Sequence, residues 1–168
     1  VKVDEIFIKR RKLIVYDQIP KFLIEGLLAK EDTRFFQHHG IDPIRIVKAA
    51  WVNLITFSTA QGASTLTQQT ARQFFLTLEK TWIRKINEVL LALKIERQFT
   101  KKEILTLYLN KVNFGDAWGV SAAAEYYFNK KVEDLSLSES ATLIGLLPAP
   151  NRYKPNKNPV AARKQRNI

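Results

Sequence analysis

The sequence has no cysteine and only two histidines. Disulfides, thiol nucleophiles and zinc–thiolate centres are therefore excluded, and little remains from which to build a soft-metal site. A long apolar run is also missing. No residue between Ala49 and Ala71 is charged, yet the second half of that span, STAQGASTLTQQTA, is rich in hydroxyls and amides and could not cross a bilayer as an apolar helix. The opening residues, VKVDEIFIKRRK, lack the apolar centre of a signal peptide. The expectation is either a cytosolic chain or an export segment upstream. Acidic residues are scarce beside basic ones, 16 against 27, for a formal charge of +11. Such a surface attracts polyanions, with nucleic acid, anionic lipid and pyrophosphate all eligible.

What is present is enough for one domain. The 168 residues are 46% hydrophobic, sufficient for a core, and residues 1–168 are expected to form a single globular unit. VKVDEIFIKRRKLIVYDQIP reads as an extended or hairpin lead-in. Pro20 suits a first helical turn, and Phe22, Leu23, Gly26, Leu27 and Lys30 recur at helical spacing, which puts Glu31 near a helix end. Asp42 and Pro43 form an N-cap and first helical position for DPIRIVKAAWVNLITF. Thr65 with Gln68, Thr100 with Glu103 and Ser136 with Glu139 all have capping-box spacing. In TWIRKINEVLLALKIERQF, Trp82, Ile86, Val89, Leu90 and Leu93 share one helical face. Helices follow one another with few strand signals, so the fold class is mainly α.

Three clusters bear chemistry. In AKEDTRFFQHHG, Glu31 lies between an apolar helix face and the pair Phe35 and Phe36; partial desolvation there would raise its proton affinity into the range of a general base. The ordinary alternative is a solvated Glu31–Arg34 pair at i, i+3. His38 and His39 are adjacent and cannot readily share a metal, so a structural histidine bonded to backbone is expected. In GASTLTQQTARQFF, a turn at Gly62 feeds hydroxyls into a helix N-terminus, whose N–H groups and positive dipole end suit a sugar-phosphate oxygen or a carboxylate. Thr65, Gln68, Gln69 and Arg72 lie near one face of that helix. Finally, Arg84, Lys85 and Glu88 read either as an ordinary Arg84–Glu88 helix salt bridge or as an anion site in which Lys85 holds an anionic leaving group and Glu88 positions a partner cation or metal.

These clusters occur in a recognisable order. EDTRFFQHHG resembles the first signature of the peptidoglycan glycosyltransferases through Glu31, Asp32, Phe35, His38 and Gly40. GASTLTQQ resembles the second through Gly62, Ser64, Thr65, Thr67, Gln68 and Gln69. RKINE is similar to the third, and KKEILTLYLN to the fourth through Lys101, Ile104, Leu105, Tyr108, Leu109 and Asn110. Arg72 stands where the family often has lysine, and QRNI only approaches the last signature.

The resemblance implies a lysozyme-like helical lobe beside a smaller, membrane-facing one. It also implies a reaction. A glycan chain on undecaprenyl pyrophosphate is the donor, and the 4-hydroxyl of lipid II attacks its muramyl C1 with inversion, giving a β-1,4 bond. Glu31 would be the base. Arg72, Lys85 and Arg84 would neutralise the departing pyrophosphate. Glu88 would either orient those cations or hold a divalent metal (Mg or Mn). Ser64, Thr65, Gln68 and Gln69 would bind sugar and phosphate oxygens, while Asp32, His38, Tyr108 and Asn110 would be structural. The implied place is the outer face of the bacterial cytoplasmic membrane, with a membrane helix and a transpeptidase domain or partner supplied elsewhere. The Trp51 to Phe57 end of α-helical IRIVKAAWVNLITF is a candidate for dipping into lipid, against the alternative that Trp51 is core.

Two rivals have distinct signatures. A lytic transglycosylase or lysozyme-type enzyme shares a helical fold and a catalytic glutamate, but its leaving group is a sugar hydroxyl and has no need of the Arg72 and Lys85 cations. A basic nucleic-acid-binding module would account for the +11 charge. It would also want aromatics interleaved with Lys and Arg on one surface, and here they are spread through apolar helix faces; no specific nucleic acid is therefore expected as a partner.

Overall fold

The computed structural model describes residues 13–56, 62–75 and 81–168. Among them, eight α-helices follow in order: α1 (Lys21–Glu31), α2 (Pro43–Thr56), α3 (Leu66–Phe75), α4 (Trp82–Gln98), α5 (Lys101–Lys111), α6 (Val120–Phe128), α7 (Leu137–Leu146) and α8 (Pro159–Arg166). Among the described residues there is no strand, only one isolated antiparallel bridge between Asn113 and Trp118. The fold is mainly α, as expected. The lead-in at residues 1–12 lies outside the described residues; from Leu13 the chain makes a single 3₁₀ turn at Tyr16–Gln18. Pro20 sits just ahead of α1, its carbonyl accepting the N–H of Leu23.

The helix starts follow local chemistry. The Asp42 carboxylate accepts the N–H of Arg45 at 3.1 Å, ahead of Pro43. Thr65 and Gln68 satisfy each other reciprocally, at 2.9 and 3.1 Å. Thr100 with Glu103 and Ser136 with Glu139 do the same for α5 and α7. Thr81 caps α4 through the N–H of Arg84, and Asn158 caps α8.

The chain divides into two compact units. One comprises residues 1–27 and 109–168. Its interior is apolar, with Ile14, Leu23, Leu27, Phe114, Val120, Leu143 and Leu146 buried, and α7 packs against α8. Each such side chain contributes about 1.5–3 kcal/mol by leaving water. Asn110 clasps the backbone of Ile14, accepting its N–H and donating to its carbonyl, at 3.0 and 2.9 Å. Gly119 permits the start of α6: its φ is +81°, and a Cβ there would meet the Asn110 carbonyl oxygen at 2.6 Å.

The other unit comprises residues 28–108. Here α3 packs on α4 around Leu66, Ala71, Ala92 and Ile95. The apolar stripe of α4 has the predicted spacing, but most of it faces outward, with Val89 and Leu93 half-buried at its edge. Trp82 is 87% exposed, and Ile86 and Leu90 are also exposed, whereas the inward line of α4 is Glu88, Ala92 and Ile95. Periodicity reports which residues share a face and is silent on the medium that face meets.

Candidate active site

Glu31 is the last residue of α1, and its carboxylate accepts a 2.9 Å hydrogen bond from the side-chain amide of Gln69 on α3. The carbonyl end of the same amide lies 3.4 Å from the Tyr108 hydroxyl on α5. Tyr108 is buried, and its phenol is held well above its ordinary proton affinity, first by burial and then by the negative charge of Glu31. It remains a phenol and donates. Arg45 on α2 donates to the backbone carbonyl of Glu31, and Glu31 lines a cavity of about 470 Å³ whose wall includes Lys30, Arg34, Arg45, Lys48 and Gly62.

Asp32 has a different setting one residue on. It is buried and accepts from His38 Nε2 at 3.0 Å and from the Leu66 N–H at 2.9 Å, with the Arg45 guanidinium at 3.7 Å. The sequence points His38 at backbone; its partner in the fold is this carboxylate. Of the two anions that the sequence offers to this helix N-terminus, a sugar-phosphate oxygen or a carboxylate, the fold supplies a carboxylate: Asp32 takes the N–H of Leu66, and the Thr65 hydroxyl takes that of Gln68. Thr65 in turn donates to the Gly40 carbonyl at 2.6 Å. Thr65 and Gln68 therefore build the wall of the site from within. Arg34 pairs with Asp42 at 3.4 Å, and the alternative pairing with Glu31 is not the one formed. Of the aromatic pair, Phe35 is fully buried beneath the Lys101 ammonium, 4.4 Å from its ring, whereas Phe36 is exposed.

Gly40 has φ +88°, and a Cβ there would meet the Ala92 backbone of α4 at 3.0 Å. Only a glycine lets the first signature's loop lie so close to α4. One turn earlier on α4, Glu88 is fully buried and surrounded by cations. Lys85 Nζ lies at 2.7 Å, Arg84 at 3.7 Å and Arg72 at 4.0 Å. Lys85 also donates to the Ser64 hydroxyl at 2.8 Å. A single carboxylate thus organises three cations and leaves a surplus of positive charge, with Lys85 and Arg72 open to solvent. Among the described residues, no three His, Cys, Asp or Glu side chains gather as a metal-ligand set.

The structure brings together Glu31, Gln69 and Tyr108 in one group and Ser64, Arg72, Arg84, Lys85 and Glu88 in another. Asn110 is engaged elsewhere, on the Ile14 backbone. Sequence reasoning passes over Arg45 and Glu96. The latter accepts from Thr67 at 2.6 Å and from Lys101 at 2.7 Å, tying together α3, α4 and α5. The signal is faint: both partners of Glu96 stand in the signatures, but nothing local points to Glu96 itself.

A large part of the apolar surface faces outward in this unit. On α2, Ile44, Val47, Trp51, Leu54 and Ile55 are exposed, so Trp51 is not core. Phe57 lies outside the described residues. Phe74 and Phe75 at the end of α3 and Trp82 and Ile83 at the start of α4 are exposed as well. Among the described residues no helix is long and apolar enough to cross a membrane.

Comparison with known proteins places this arrangement in a family. The transglycosylase family model matches residues 2–168. Penicillin-binding protein 1A of Escherichia coli (strain K12) is 49% identical over 161 residues, covering 95% of this chain and 19% of that protein. The protein of the same name from Aquifex aeolicus (strain VF5) is 49% identical over 162 residues, 96% of this chain and 22% of the relative. That from Haemophilus influenzae is 46% identical over 167 residues, 99% and 20% respectively. The chain spans about a fifth of the length of these relatives. With the signature residues of the site gathered as described and a family match over nearly its whole length, the chain belongs to the transglycosylase family, the peptidoglycan glycosyltransferases of cell wall synthesis.

Proposed function

We propose that this chain polymerises lipid II into β-1,4-linked glycan, with Glu31 as general base on the acceptor 4-hydroxyl. The observation that carries the proposal is the separation of two charge types in one unit. Glu31 lines a cavity and has its carboxylate oriented by an amide, while a distinct cluster of cations gathers on buried Glu88. As the glycosidic bond breaks, negative charge grows on the pyrophosphate. Arg72, Arg84 and Lys85, already fixed in place, stabilise it without reorganising. The proton moves from the 4-hydroxyl to Glu31 as that oxygen attacks the anomeric carbon, and undecaprenyl pyrophosphate departs.

Glu88 acts in this scheme as the organiser of cations. A divalent metal does not suit the site, because among the described residues Glu88 is its one buried carboxylate and three cationic side chains occupy it. The cluster also separates this reading from a glycan-cleaving one, which would release no pyrophosphate. Tryptophans and branched aliphatics exposed on α2 and α4 suit the headgroup region of an anionic leaflet, helped by the net positive charge. The proposed place is the outer face of the bacterial cytoplasmic membrane, with a transpeptidase domain or partner and no specific nucleic acid.

The test is polymerisation of labelled lipid II by the purified chain, read on a gel and confirmed by muramidase digestion. Glu31→Gln is expected to lower the rate by about 10²–10⁴, the usual worth of general base catalysis, with its thermal melt unchanged. Polymer formed equally by Glu31→Gln would remove Glu31 from that role.

A further inference from the structure

We propose that Gln69 is a positioning residue for Glu31, not a substrate ligand, and that Tyr108 sets the direction of its amide; this rests on the reading of Glu31 as the base. The geometry leaves one satisfactory arrangement. An amide has a donating end and an accepting end, and Gln69 lies between an anionic carboxylate at 2.9 Å and a hydroxyl at 3.4 Å. With the amide reversed, its carbonyl oxygen would face the Glu31 carboxylate, oxygen against oxygen, and the bond would be broken. The arrangement that holds has the NH₂ donating to Glu31 Oε2 and the carbonyl accepting from Tyr108 Oη.

Tyr108 can serve that purpose because it is buried and fixed, 1% exposed on the inward face of α5. Its raised proton affinity keeps the hydroxyl hydrogen in place near neutral pH, so it remains a donor to the Gln69 carbonyl. The consequence is asymmetric. Gln69 holds Oε2 of Glu31, which leaves Oε1 to receive the proton of the attacking hydroxyl. A free carboxylate at a helix end would rotate among several orientations. The relay selects one before the acceptor arrives. Of the other groups near Glu31, Arg45 binds its backbone carbonyl, Asp32 is committed to His38 and Leu66, and the Lys30 ammonium feels the Glu31 charge.

The distinction from substrate binding is kinetic. Removing a sugar ligand would raise KM, whereas a misdirected base lowers kcat with KM intact. We expect Gln69→Met, similar in length and without a donor, to lower kcat roughly ten- to a hundredfold with KM for lipid II within about twofold. Tyr108→Phe, which keeps the buried ring, is expected to lower kcat a few-fold, again with KM unchanged. In a Glu31→Asp background, where the shorter carboxylate no longer reaches the amide, Gln69→Met should add almost nothing. Raised KM with normal kcat for Gln69→Met, or full additivity with Glu31→Asp, would overturn the relay. If Gln69→Met does not fold, Tyr108→Phe decides: reduced kcat supports the relay and unchanged kcat overturns it. The readings fail separately. Polymer from Glu31→Gln at the parent rate sinks the base, while its absence together with a KM-only defect in Gln69→Met sinks the relay alone.

Discussion

The two compact units solve the problem of burial in opposite ways. Residues 1–27 and 109–168 bury apolar side chains; among the described residues, Ser140 and Lys154 are the polar exceptions, and Lys154 is paired with Asp116 at 2.5 Å. Residues 28–108 bury Asp32, His38, Asp42, Thr65, Thr67, Gln68, Thr70 and Glu88 and expose Trp51, Leu54, Phe75, Trp82, Ile86 and Leu90. A buried polar group costs free energy unless it is paired, and here the pairs are the site itself. The contrast teaches that one unit fills its interior almost wholly with apolar side chains, while the other gives part of its interior to fixing charges and presents apolar surface outward.

That contrast can be broken at defined points. The largest stability loss is expected from Glu88→Gln, which leaves Arg72, Arg84 and Lys85 without their shared counter-charge. About 3 kcal/mol should be lost, read from denaturant unfolding, together with most polymerising activity. A smaller loss on the other side comes from Gly119→Ala. Its left-handed φ and the 2.6 Å approach to Asn110 should cost about 2 kcal/mol in the same assay, with kcat unaffected in the fraction that remains folded.

Exchanging the exposed indole in Trp51→Asp should weaken flotation with anionic liposomes roughly tenfold and leave the melt within about 0.5 kcal/mol, the usual range for surface changes. Unchanged flotation would mean that the outward apolar face of α2 does not meet lipid. The smallest effect is expected from Ser136→Ala at the start of α7, about 1 kcal/mol at neutral pH. The Ser136 N–H, then Lys130 and the Ser136 hydroxyl, hold Glu139 down at about 2, against an ordinary 4.5. A depressed carboxylate stabilises the fold above its unfolded value, and that contribution fades as pH falls from 4.5 toward 2. The Ser136→Ala penalty should therefore shrink between pH 7 and pH 3, and a constant penalty would show that Glu139 takes no part.

Much of the fold was legible because helix starts are local. The Thr65, Thr100 and Ser136 boxes formed as their spacing indicated, since each needs only a partner three residues away. The site was legible as a set of residues and much less as a set of pairings. Arg34 is drawn to Asp42, His38 to Asp32, and Gln69 to Glu31. Each of these choices depends on where a loop or a distant helix brings its end. For these three, spacing along the chain offered only the Glu31–Arg34 pair; Arg84 and Glu88, one helical turn apart, do meet as their spacing suggested. The outward set of α4 was hidden for a related reason: the same stripe that packs a core in one protein meets another medium here.

Adjacent carboxylates with such different company have a genetic consequence. Both Asp32 oxygens are already engaged by His38, with the Leu66 N–H and the Arg45 guanidinium beside them, whereas the Glu31 carboxylate is held by the Gln69 amide at one oxygen. A neighbouring acid would ordinarily offer a spare when its twin is lost. Here it is withdrawn from service, so substitutions at Glu31 should find no suppressor at Asp32, and revertants of an inactive Glu31 allele should restore that codon itself.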